Sequence, residues 1–556
     1  MQEWLPKSLL VLRNYSRKRF VADLLAGITV GLVALPLAMA FAIASGVPPQ
    51  SGLYCAIVAG FLVSACGGSL TQIGGPTGAF VVVVYNIVAK HGMDGLFMCT
   101  LEAGVILVLL GVTGLGSAVK YIPRPVVVGF TNGIAVIIAS TQIKDFFGLK
   151  VEKVPGDFLD RMEVLGRNFR TLSIEETMLG IGALLVIVLC MRFVKRVPGY
   201  IVALVAGTVA VVVLHLHVQT IGTRFGGIPA GLPKLEIPQF HPALFRPLIS
   251  SALTVAMLGA IESLMSAVVS DRMSGDKHNP NVELVGQGIA NIFSPLFGGL
   301  PATGAIARTA TNIRSGATSP VAGMIHAATL LGVVVFAAPL ARFIPLSVLA
   351  AILFVVAYNM GEWKEIPQIL RLSKLEIGTW LATFLLTVFA DLTTAVEAGM
   401  IMAVLVFIRR VALTTTVSLV TEEYVKAGHA HILHHKDIPE YVAIFRIHGP
   451  FMFGTTEKIE EITARMQELP EIVIVRLRNM TAIDATGIQA LEAAVDAIRG
   501  SGRTVLLCGA RLQPRELIAQ SGLREHVGDE NMLKNFGEAL ERAKAVHSRL
   551  AVAAHA

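Results

Sequence analysis

The chain has 556 residues, of which 54% are hydrophobic and only 15% are charged, and its formal net charge is +7. Soluble domains are roughly one quarter charged, so this composition excludes an ordinary soluble protein and indicates a large membrane domain. The basic residues form short clusters between apolar segments, which is typical of cytoplasmic loops and argues against a nucleic-acid-binding protein. The five cysteines show no CxxC spacing, so neither a disulfide framework nor a metal site is indicated, and no cofactor is expected.

The N-terminal part of the chain predicts a long series of membrane segments. Residues 1–20 are basic and amphipathic and are expected to form a cytoplasmic N-terminal segment. Fourteen apolar segments follow, several of them too short or too rich in glycine to be simple spans of roughly 20 residues. They lie near residues 22–44, 52–68, 71–90, 96–118, 124–147, 174–194, 198–218, 248–270, 282–298, 302–316, 318–340, 342–361, 376–390 and 391–408. Basic clusters follow the even-numbered segments, which favours a transmembrane domain over 21–412 with a cytoplasmic N-terminus.

An internal repeat links the third and tenth segments. Thr77-Gly78-Ala79 recurs as Thr303-Gly304-Ala305, 226 residues later, and in both copies a proline and glycines precede the match. An Ile-Pro pair at 122–123 recurs at 344–345, 222 residues later. The near-equal offsets predict two copies of a seven-segment unit, and since seven is odd, the copies have opposite orientation. Inverted repeats with interrupted segments at matching positions indicate a transporter site near the middle of the membrane.

The repeated stretches predict an anion-binding site made of two helix starts. A helix N-terminus offers unpaired N–H donors and about half a positive charge, which suits a small oxyanion. Pro76 and Pro301 are expected in the first helical positions, and Gly78 and Gly304 let an anion approach the backbone. The alternative is that these small residues only permit tight helix packing. The predicted substrate-binding residues of the two stretches are Thr77, Gly78, Ala79, Thr303, Gly304, Ala305 and Ile306.

Two ionisable residues at membrane depth are further candidates. Arg308 lies about one helical turn beyond Gly304 and would raise the local potential for an anion; alternatively it is an interfacial arginine or pairs with Glu262. Glu262 is the only acid of its segment before Asp271. A lone carboxylate at this depth is a candidate proton acceptor coupled to anion movement, and the alternative is a structural hydrogen-bonded glutamate. Ser266 lies on the same helix face as Glu262, one turn further on, and is a supporting residue.

The composition changes after residue 410. Residues 413–437 predict a polar linker containing four histidines between 429 and 435, whose irregular spacing argues against a metal site. From 438 to 556, strand-like runs at 441–445, 471–477 and 503–508 alternate with helical runs at 454–468, 486–498, 513–521 and 533–546. This alternation predicts a small cytoplasmic α/β domain. The loop at 479–487 leads into a helix, with Thr486 as its candidate N-cap.

The order of these motifs resembles the sulfate permease (SulP) anion transporters. The resemblance rests on residues 35–42, on Gly46-Val47-Pro48-Pro49 with Gly52-Leu53-Tyr54, on the two glycine-proline stretches and on the helix of Glu262. The C-terminal part resembles the STAS domain that follows the membrane part in that family. The resemblance implies a membrane all-α fold of 14 segments in a 7+7 inverted repeat with core and gate domains. It also implies a homodimer and elevator-like alternating access.

The resemblance also assigns roles to single residues. It implies that Phe41 forms an apolar wall of the site and that Arg308 lines it. The sodium-coupled bicarbonate branch looks to use Asp where this chain has Glu262 and Thr where it has Ile306. Since isoleucine cannot coordinate a cation, proton coupling or exchange is expected here. In the STAS-like domain Ala485 stands where related signalling domains carry a phosphorylated serine, so that form of regulation is not expected.

The leading hypothesis is a secondary-active transporter that moves a small oxyanion of the sulfate or bicarbonate type across the inner membrane. Its expected partners are the anion, protons, the lipid bilayer, a second copy of the chain and a possible cytoplasmic protein that binds the STAS domain. A dicarboxylate carrier stays open because an arginine suits a carboxylate equally. A nucleobase carrier is disfavoured because the tenth segment has no acid, and a membrane-anchored regulator acting through the STAS domain is the alternative from another class. No nucleophile–base pair or P-loop supports an enzyme.

Overall fold

The computed structural model describes residues 4–12, 15–116, 123–151, 154–193, 198–235, 241–390, 392–419, 438–453, 455–459 and 469–555. The chain divides into two compact units, Met1–Ala403 and Val404–Ala556. In its described residues the first unit is mainly helical and contains one very short pair of strands, and the second unit contains a five-stranded sheet. This division agrees with a membrane domain followed by an α/β domain.

The first unit is built mainly from apolar helices. Its helices are α1 Lys7–Leu12, α2 Arg17–Ala44, α3 Pro49–Cys66, α4 Val81–Val112, α5 Arg124–Phe147, α6 Phe158–Arg167, α7 Ile174–Phe193, α8 Gly199–Val213, α9 Ile221–Phe225, α10 Pro242–Ser274, α11 Pro280–Phe293, α12 Ile306–Arg314, α13 Val321–Ala341, α14 Leu346–Met360, α15 Ile366–Ile369, α16 Lys374–Phe389 and α17 Leu392–Thr414. Among the described residues, eight helical stretches are long and apolar enough to cross a membrane, and α8 is a shorter apolar helix. A multi-span helical membrane unit is therefore confirmed, whereas the number fourteen stays a prediction.

The predicted break between the third and fourth segments falls inside α4. The segments were expected at 71–90 and 96–118, and α4, Val81–Val112, consists of two helices that meet at a kink at Gly92. Gly92 has φ 69°, a value that glycine adopts without a steric penalty. The structure therefore breaks the helix between the two predicted segments.

The two repeated stretches meet in the middle of the unit. Strand β1, Gly74–Gly75, pairs antiparallel with strand β2, Thr303–Gly304, so that Gly74 faces Gly304 and Gly75 faces Thr303. The Ala305 amide extends the pairing by donating to the Ile73 carbonyl at 2.8 Å. These strands are short and buried, and their hydrogen bonds satisfy backbone groups where the helices are interrupted.

Glycine contacts and one buried carboxylate fix α2 against α13. A Cβ at Gly27 would lie 2.5 Å from the Ala322 carbonyl oxygen, so the two helices touch through their backbones. The fully buried Asp23 accepts hydrogen bonds from the Thr318 amide at 2.6 Å and from the Tyr15 hydroxyl at 2.7 Å. Asp23 therefore ties the start of α2 to the turn before α13.

The second unit contains one five-stranded sheet covered on both faces. Its strands are β3 Thr416–Leu419, β4 Val442–Phe451, β5 Ile472–Ile483, β6 Thr504–Cys508 and β7 Met532–Leu533. They lie in the order β3-β4-β5-β6-β7, with β3 antiparallel and the other neighbours parallel. The described helices that follow the strands are α18 Ala485–Gly500, α19 Leu512–Gln520, α20 Leu523–Val527 and α21 Phe536–His555. The core under one face includes α18, and the core under the other face includes α21.

The structure corrects three details of the predicted α/β domain. Strand β3 lies in the stretch that was interpreted as a linker, and its four residues, Thr416–Leu419, pair antiparallel with β4. Strand β5 continues to Ile483, beyond the predicted loop start at 479. The N-cap of α18 is Asp484, whose side chain accepts from the Gly487 amide at 2.8 Å, so the prediction of Thr486 was wrong. The histidines at 429–435 and most of the predicted helix at 454–468 lie outside the described residues.

Candidate functional site

A cavity of about 310 Å³ lies beside the β1–β2 crossing in the first unit. Its lining consists of Leu37 and Phe41 of α2; Thr77, Gly78 and Ala79; Val126, Val127, Phe130, Thr131 and Ile134 of α5; Tyr200 of α8; Leu258, Ile261, Glu262 and Met265 of α10; Ala305 with Ile306, Ala307, Arg308 and Ala310 of α12; Val356, Asn359 and Met360 of α14; Glu362; and Thr383 of α16. Seven of the nine predicted substrate-binding residues, together with Glu262, therefore lie on one cavity. The exceptions are Thr303 and Gly304.

Two helix N-termini point their first residues at this cavity. A short 3₁₀ turn, Gly78–Phe80, leads into α4 with Thr77 as its N-cap, and α12 begins at Ile306 with Ala305 as its N-cap. Neither N-cap residue makes a side-chain capping hydrogen bond, so the first N–H groups keep their capacity for a ligand. The helix starts lie after the prolines, and Pro76 and Pro301 precede the N-cap positions. The prediction that these prolines occupy the first helical turn was wrong, because Pro76 lies between β1 and the N-cap Thr77, and Pro301 is followed by β2 before α12 begins.

Arg308 is the buried cation of the site. Its side chain is only 2% exposed, and one guanidinium nitrogen, Nη2, donates to the Pro76 carbonyl. The other, Nη1, has no hydrogen-bond partner within the described part of the chain. A Cβ at Gly75 would lie 2.7 Å from Nη1, so only glycine leaves room for the guanidinium there. A buried guanidinium with a free donor on a cavity is arranged to bind an anion.

Glu262 faces the same cavity from the middle of α10. The Thr77 hydroxyl donates to its Oε2 atom at 2.7 Å. Among the described residues no ion pair joins Glu262 to Arg308, so the predicted alternative of a direct pair is not what the structure contains. The two residues thus present one acid and one base separately to the cavity.

Thr303, Gly304 and Ser266 form the wall behind the cavity. The Thr303 hydroxyl lies 2.8 Å from the Ser263 hydroxyl, which accepts from the Gly304 amide at 3.0 Å. Ser266 donates to the Thr309 hydroxyl at 3.1 Å. These hydroxyls fix strand β2 and helix α12 to α10. Their predicted contact with substrate stays a prediction, and their observed contacts are with the scaffold.

Apolar side chains surround Gly78 on the cavity lining. A Cβ at Gly78 would lie 2.9 Å from Ile138 Cδ1, 3.0 Å from Met360 Sδ and 3.3 Å from Phe41 Cε1. The Phe41 ring therefore packs beside Gly78, and Ile306 adds a further apolar side chain to the lining. Such surfaces exclude water and strengthen electrostatic interactions with a bound ion.

Sequence reasoning missed the side of the cavity contributed by α5, α8 and α14. Glu362 is the clearest example, since its backbone has the unusual value of φ 35° for a residue with a side chain. Tyr200 and Asn359 line the cavity as well. Tyr200 and Asn359 belong to apolar helices without a motif and Glu362 lies just after one, so their convergence follows only from the tertiary fold.

The fold and the site define a membrane transporter with a C-terminal α/β domain, and comparison with known proteins identifies the group. The sulfate permease family model matches residues 20–383, and the STAS domain model matches residues 433–539. The chain belongs to the sulfate permease family, as its motifs had indicated.

Three similar proteins illustrate the relationship. YvdB of Bacillus subtilis is 39% identical over 95% of this chain and 98% of its own length. The bicarbonate transporter BicA of Picosynechococcus is 32% identical over 94% of both chains. The overall structure of SLC26A9 superposes with a TM-score of 0.86 over 96% of this chain and 92% of that chain, at 19% identity. The helical membrane fold with a C-terminal STAS domain is thereby confirmed, and the substrate class is an anion.

Proposed function

We propose that this protein is a secondary-active transporter of a small oxyanion of the sulfate or bicarbonate type, driven by protons or by anion exchange. Support comes first from Arg308, whose buried side chain lines the cavity and whose Nη1, packed against Gly75, has no hydrogen-bond partner among the described residues. A buried cation without a direct ion pair is costly unless a nearby charge or a ligand compensates it. An oxyanion would compensate it and would also accept from the open helix N-termini at Ile306 and Gly78.

The proposed proton coupling rests on Glu262. With Glu262 ionised, its charge offsets that of Arg308 in the cavity, so the electrostatic contribution to anion binding is small. With Glu262 protonated, the cavity carries the charge of Arg308 alone and attracts an anion. Proton uptake and anion binding would therefore favour each other, which is the thermodynamic requirement for symport. Ile306 on the lining offers no oxygen ligand, which supports protons over sodium as the coupling ion.

The proposal includes an elevator-like movement of the repeated stretches as one body. The β1–β2 pairing, the hydroxyls of α10 and the side chain of Asn291 all hold these stretches together. Asn291 of α11 exchanges two hydrogen bonds with the Ala302 backbone, at 2.8 and 2.9 Å. A site fixed in this way would travel as a unit against the elements that line its other side. The inner membrane, cytoplasmic termini, fourteen segments and a homodimer belong to the same proposal.

Purified protein in proteoliposomes tests the function. Uptake of labelled sulfate and bicarbonate is measured with and without an inward proton gradient and with internal anion for exchange. We expect uptake of at least one oxyanion, and its loss in Arg308→Gln. If no small anion moves in any of these modes, the proposed function is wrong.

A dicarboxylate is the second candidate substrate, because the free Nη1 of Arg308 would bind a carboxylate as well as a sulfate. The mostly apolar remainder of the cavity could accommodate a short carbon chain. Succinate in the same uptake panel distinguishes the two substrate classes. Stronger uptake of succinate than of either inorganic oxyanion would assign the site to dicarboxylates.

A further inference from the structure

The STAS domain carries a basic surface that the transport mechanism does not use. We define the basic face as Arg446 and His448 of β4 with Arg476, Arg478 and Asn479 of β5. In a sheet, alternate residues share a face, so Arg446 and Arg476 lie on the side of Val442, Ile444, Ile472 and Ile474, which is the side that α21 covers. The apolar cover ends at Phe536, the first residue of α21. Beyond it, the basic residues lie within β4 and β5, level with the carboxyl end of β6, whose last residue Cys508 pairs with Arg476.

The register of the strands places like charges next to each other. Arg446 is the direct partner of Arg476 in the β4–β5 pairing, and His448 is the partner of Asn479. Neighbouring strands lie about 4.8 Å apart, and like charges directly opposite each other destabilise a sheet. The arrangement therefore lowers the stability of the domain unless an anion compensates it.

The described residues provide no anion for these arginines. No ion pair to Arg446, Arg476 or Arg478 occurs among them. The nearest acid along α21, Glu538, is engaged by the Lys534 amide at 3.1 Å and the Asn535 side-chain amide at 2.7 Å. The polar contact on this face is neutral: the Asn479 amide lies 3.1 Å from His448 Nδ1 and, with its oxygen turned towards the donors, accepts from the Arg446 guanidinium.

Arg476 is the most buried residue of the three arginines on this face, and its side chain is held in place by packing. Its side chain is 8% exposed, and its guanidinium lies 5.5 Å from the centre of the Phe536 ring. Burial lowers the pKa of Arg476; Cys508 opposes this shift, and the positive charges of Arg446 and Arg478 add to it. Next to it, the turn at Gly509 has φ 78°, and a Cβ there would lie 3.4 Å from Arg478 Cβ. The α21 N-terminus, which begins at Phe536, adds a favourable dipole for an anion.

We propose that the basic face of the STAS domain binds a tetrahedral dianion, either free in solution or as the phosphate monoester of a small metabolite. Guanidinium groups bind such oxygens in pairs of parallel hydrogen bonds. Arg476 supplies a guanidinium at the end of a largely buried side chain, Arg446 and Arg478 lie next to it, and the exposed His448 adds a donor at the rim. The site lies beside the carboxyl end of β6, where Cys508 pairs with Arg476, and α/β domains commonly bind their ligands at the carboxyl ends of strands.

Hydrogen–deuterium exchange on the full chain in nanodiscs tests the proposal, because it locates binding to one domain. The probes are inorganic phosphate and glycerol 3-phosphate, each compared with sodium chloride at the same ionic strength. We expect both phosphates, and not chloride, to protect peptides from 472–483 and 504–511. Tighter binding of glycerol 3-phosphate would identify a metabolite monoester as the source, and equal binding would identify the free dianion.

Matched variants separate a specific site from general electrostatics. Arg478→Gln, at an exposed position, should raise the ligand concentration needed for half-maximal protection roughly tenfold, as expected for the loss of charge-assisted hydrogen bonds. Arg515→Gln has the same charge change on α19 and should bind as the wild type does. Arg308→Gln should also retain this binding, since it affects only the cavity of the first unit. Exchange without ligand shows whether each variant is folded. Arg478→Lys is a second variant, which keeps the positive charge and should bind the phosphates more weakly than the wild type does. Protection by chloride alone, no protection by either phosphate, or unchanged binding in Arg478→Gln would each overturn the proposal.

Discussion

The Thr77 hydroxyl donates a hydrogen bond of 2.7 Å to Glu262 Oε2 and so joins the start of the α4 stretch to the middle of α10. The same hydroxyl would otherwise be available to cap the 3₁₀ turn at Gly78, and it makes no capping bond there. A carboxylate that is ionised only accepts hydrogen bonds, whereas a protonated one can also donate. A change in the protonation of Glu262 can therefore affect the helix N-terminus through a single hydrogen bond, the one between Thr77 and Glu262.

Replacing Glu262 by glutamine should separate coupling from translocation. The amide can still accept from the Thr77 hydroxyl, so the local structure is kept, but it cannot take up a proton. We expect proton-driven uptake in proteoliposomes to fall at least about tenfold, the scale of one lost ionic interaction, with anion exchange largely retained. Glu163→Gln, on the exposed helix α6, is the matched control and should change neither mode. Equal residual activity in the two modes would remove the coupling role of Glu262.

Replacing Arg308 by glutamine should weaken anion binding itself. The loss of one charge-assisted hydrogen bond costs about 1.5–3 kcal/mol, so the half-saturating anion concentration should rise roughly tenfold to a hundredfold. Arg314→Gln, on the exposed last turn of the same helix, is the control. Both variants are measured by anion-dependent protection against thermal unfolding and by uptake. An unchanged anion affinity in Arg308→Gln would exclude the guanidinium as a substrate ligand.

Much of this site could be predicted because its chemistry is local in sequence. Interrupted membrane segments are indicated by the two Thr-Gly-Ala stretches, 77–79 and 303–305, because they lie within an apolar chain. Glu262 and Arg308 are conspicuous for the same reason, since ionisable residues are rare at membrane depth. The repeat also predicted that the two stretches belong together, and β1 and β2 do pair.

The remainder depended on tertiary contacts that leave no local signal. Pro301 was placed at a helix start because of its position in the repeat, but hydrogen bonds from Asn291 hold the backbone at Ala302 extended, and α12 starts only at Ile306. The part of the cavity lining that includes Tyr200 and Glu362 comes from α8 and from the residues after α14, which have no motif. In the STAS domain, strand β3 was missed because its pairing with β4 is across about 30 residues of chain.

The closest glycine contact at the cavity should be intolerant of a methyl group. A Cβ at Gly78 would meet Ile138, Met360 and Phe41 at 2.9–3.3 Å, so Gly78→Ala forces these side chains apart or narrows the cavity. We expect uptake to fall by at least about tenfold while the protein still folds, because overpacking of this kind costs about 1–3 kcal/mol.

Gly182→Ala is the control for this prediction. It lies in α7, and a Cβ at that position meets nothing within 4 Å. We expect wild-type uptake and, since alanine is the better helix former, unchanged or slightly higher thermal stability. Wild-type uptake in Gly78→Ala would mean that the anion does not approach the backbone at this point.

The ion pair between His526 and Asp496 should give the STAS domain a small pH dependence. Asp496 lies 2.8 Å from His526 Nδ1, and this hydrogen bond raises the pKa of the imidazole in the folded domain. A raised folded-state pKa stabilises the fold fully below the unfolded value of about 6.5, and the contribution is lost as the pH rises through the folded pKa. The exchange protection of residues 523–527 should therefore decrease with rising pH more strongly in the wild type than in Asp496→Asn. Parallel pH profiles of the two proteins would contradict this assignment.

The structure assigns the N-cap of α18 to Asp484, whereas the sequence predicted Thr486. Asp484 accepts from the Gly487 amide at 2.8 Å and, through its other oxygen, from the Phe453 amide at 3.0 Å. Asp484→Ala removes both acceptors and should destabilise the STAS domain by about 1–2 kcal/mol, at the upper end of the range for lost caps. Asp484→Asn should recover much of this loss, because asparagine is also a good N-cap. Thr486→Ala, inside the first turn of α18, should change the stability by less than about 0.5 kcal/mol. Exchange of the α18 amides in the full chain measures all three, and a larger effect for Thr486→Ala than for Asp484→Ala would return the capping role to Thr486.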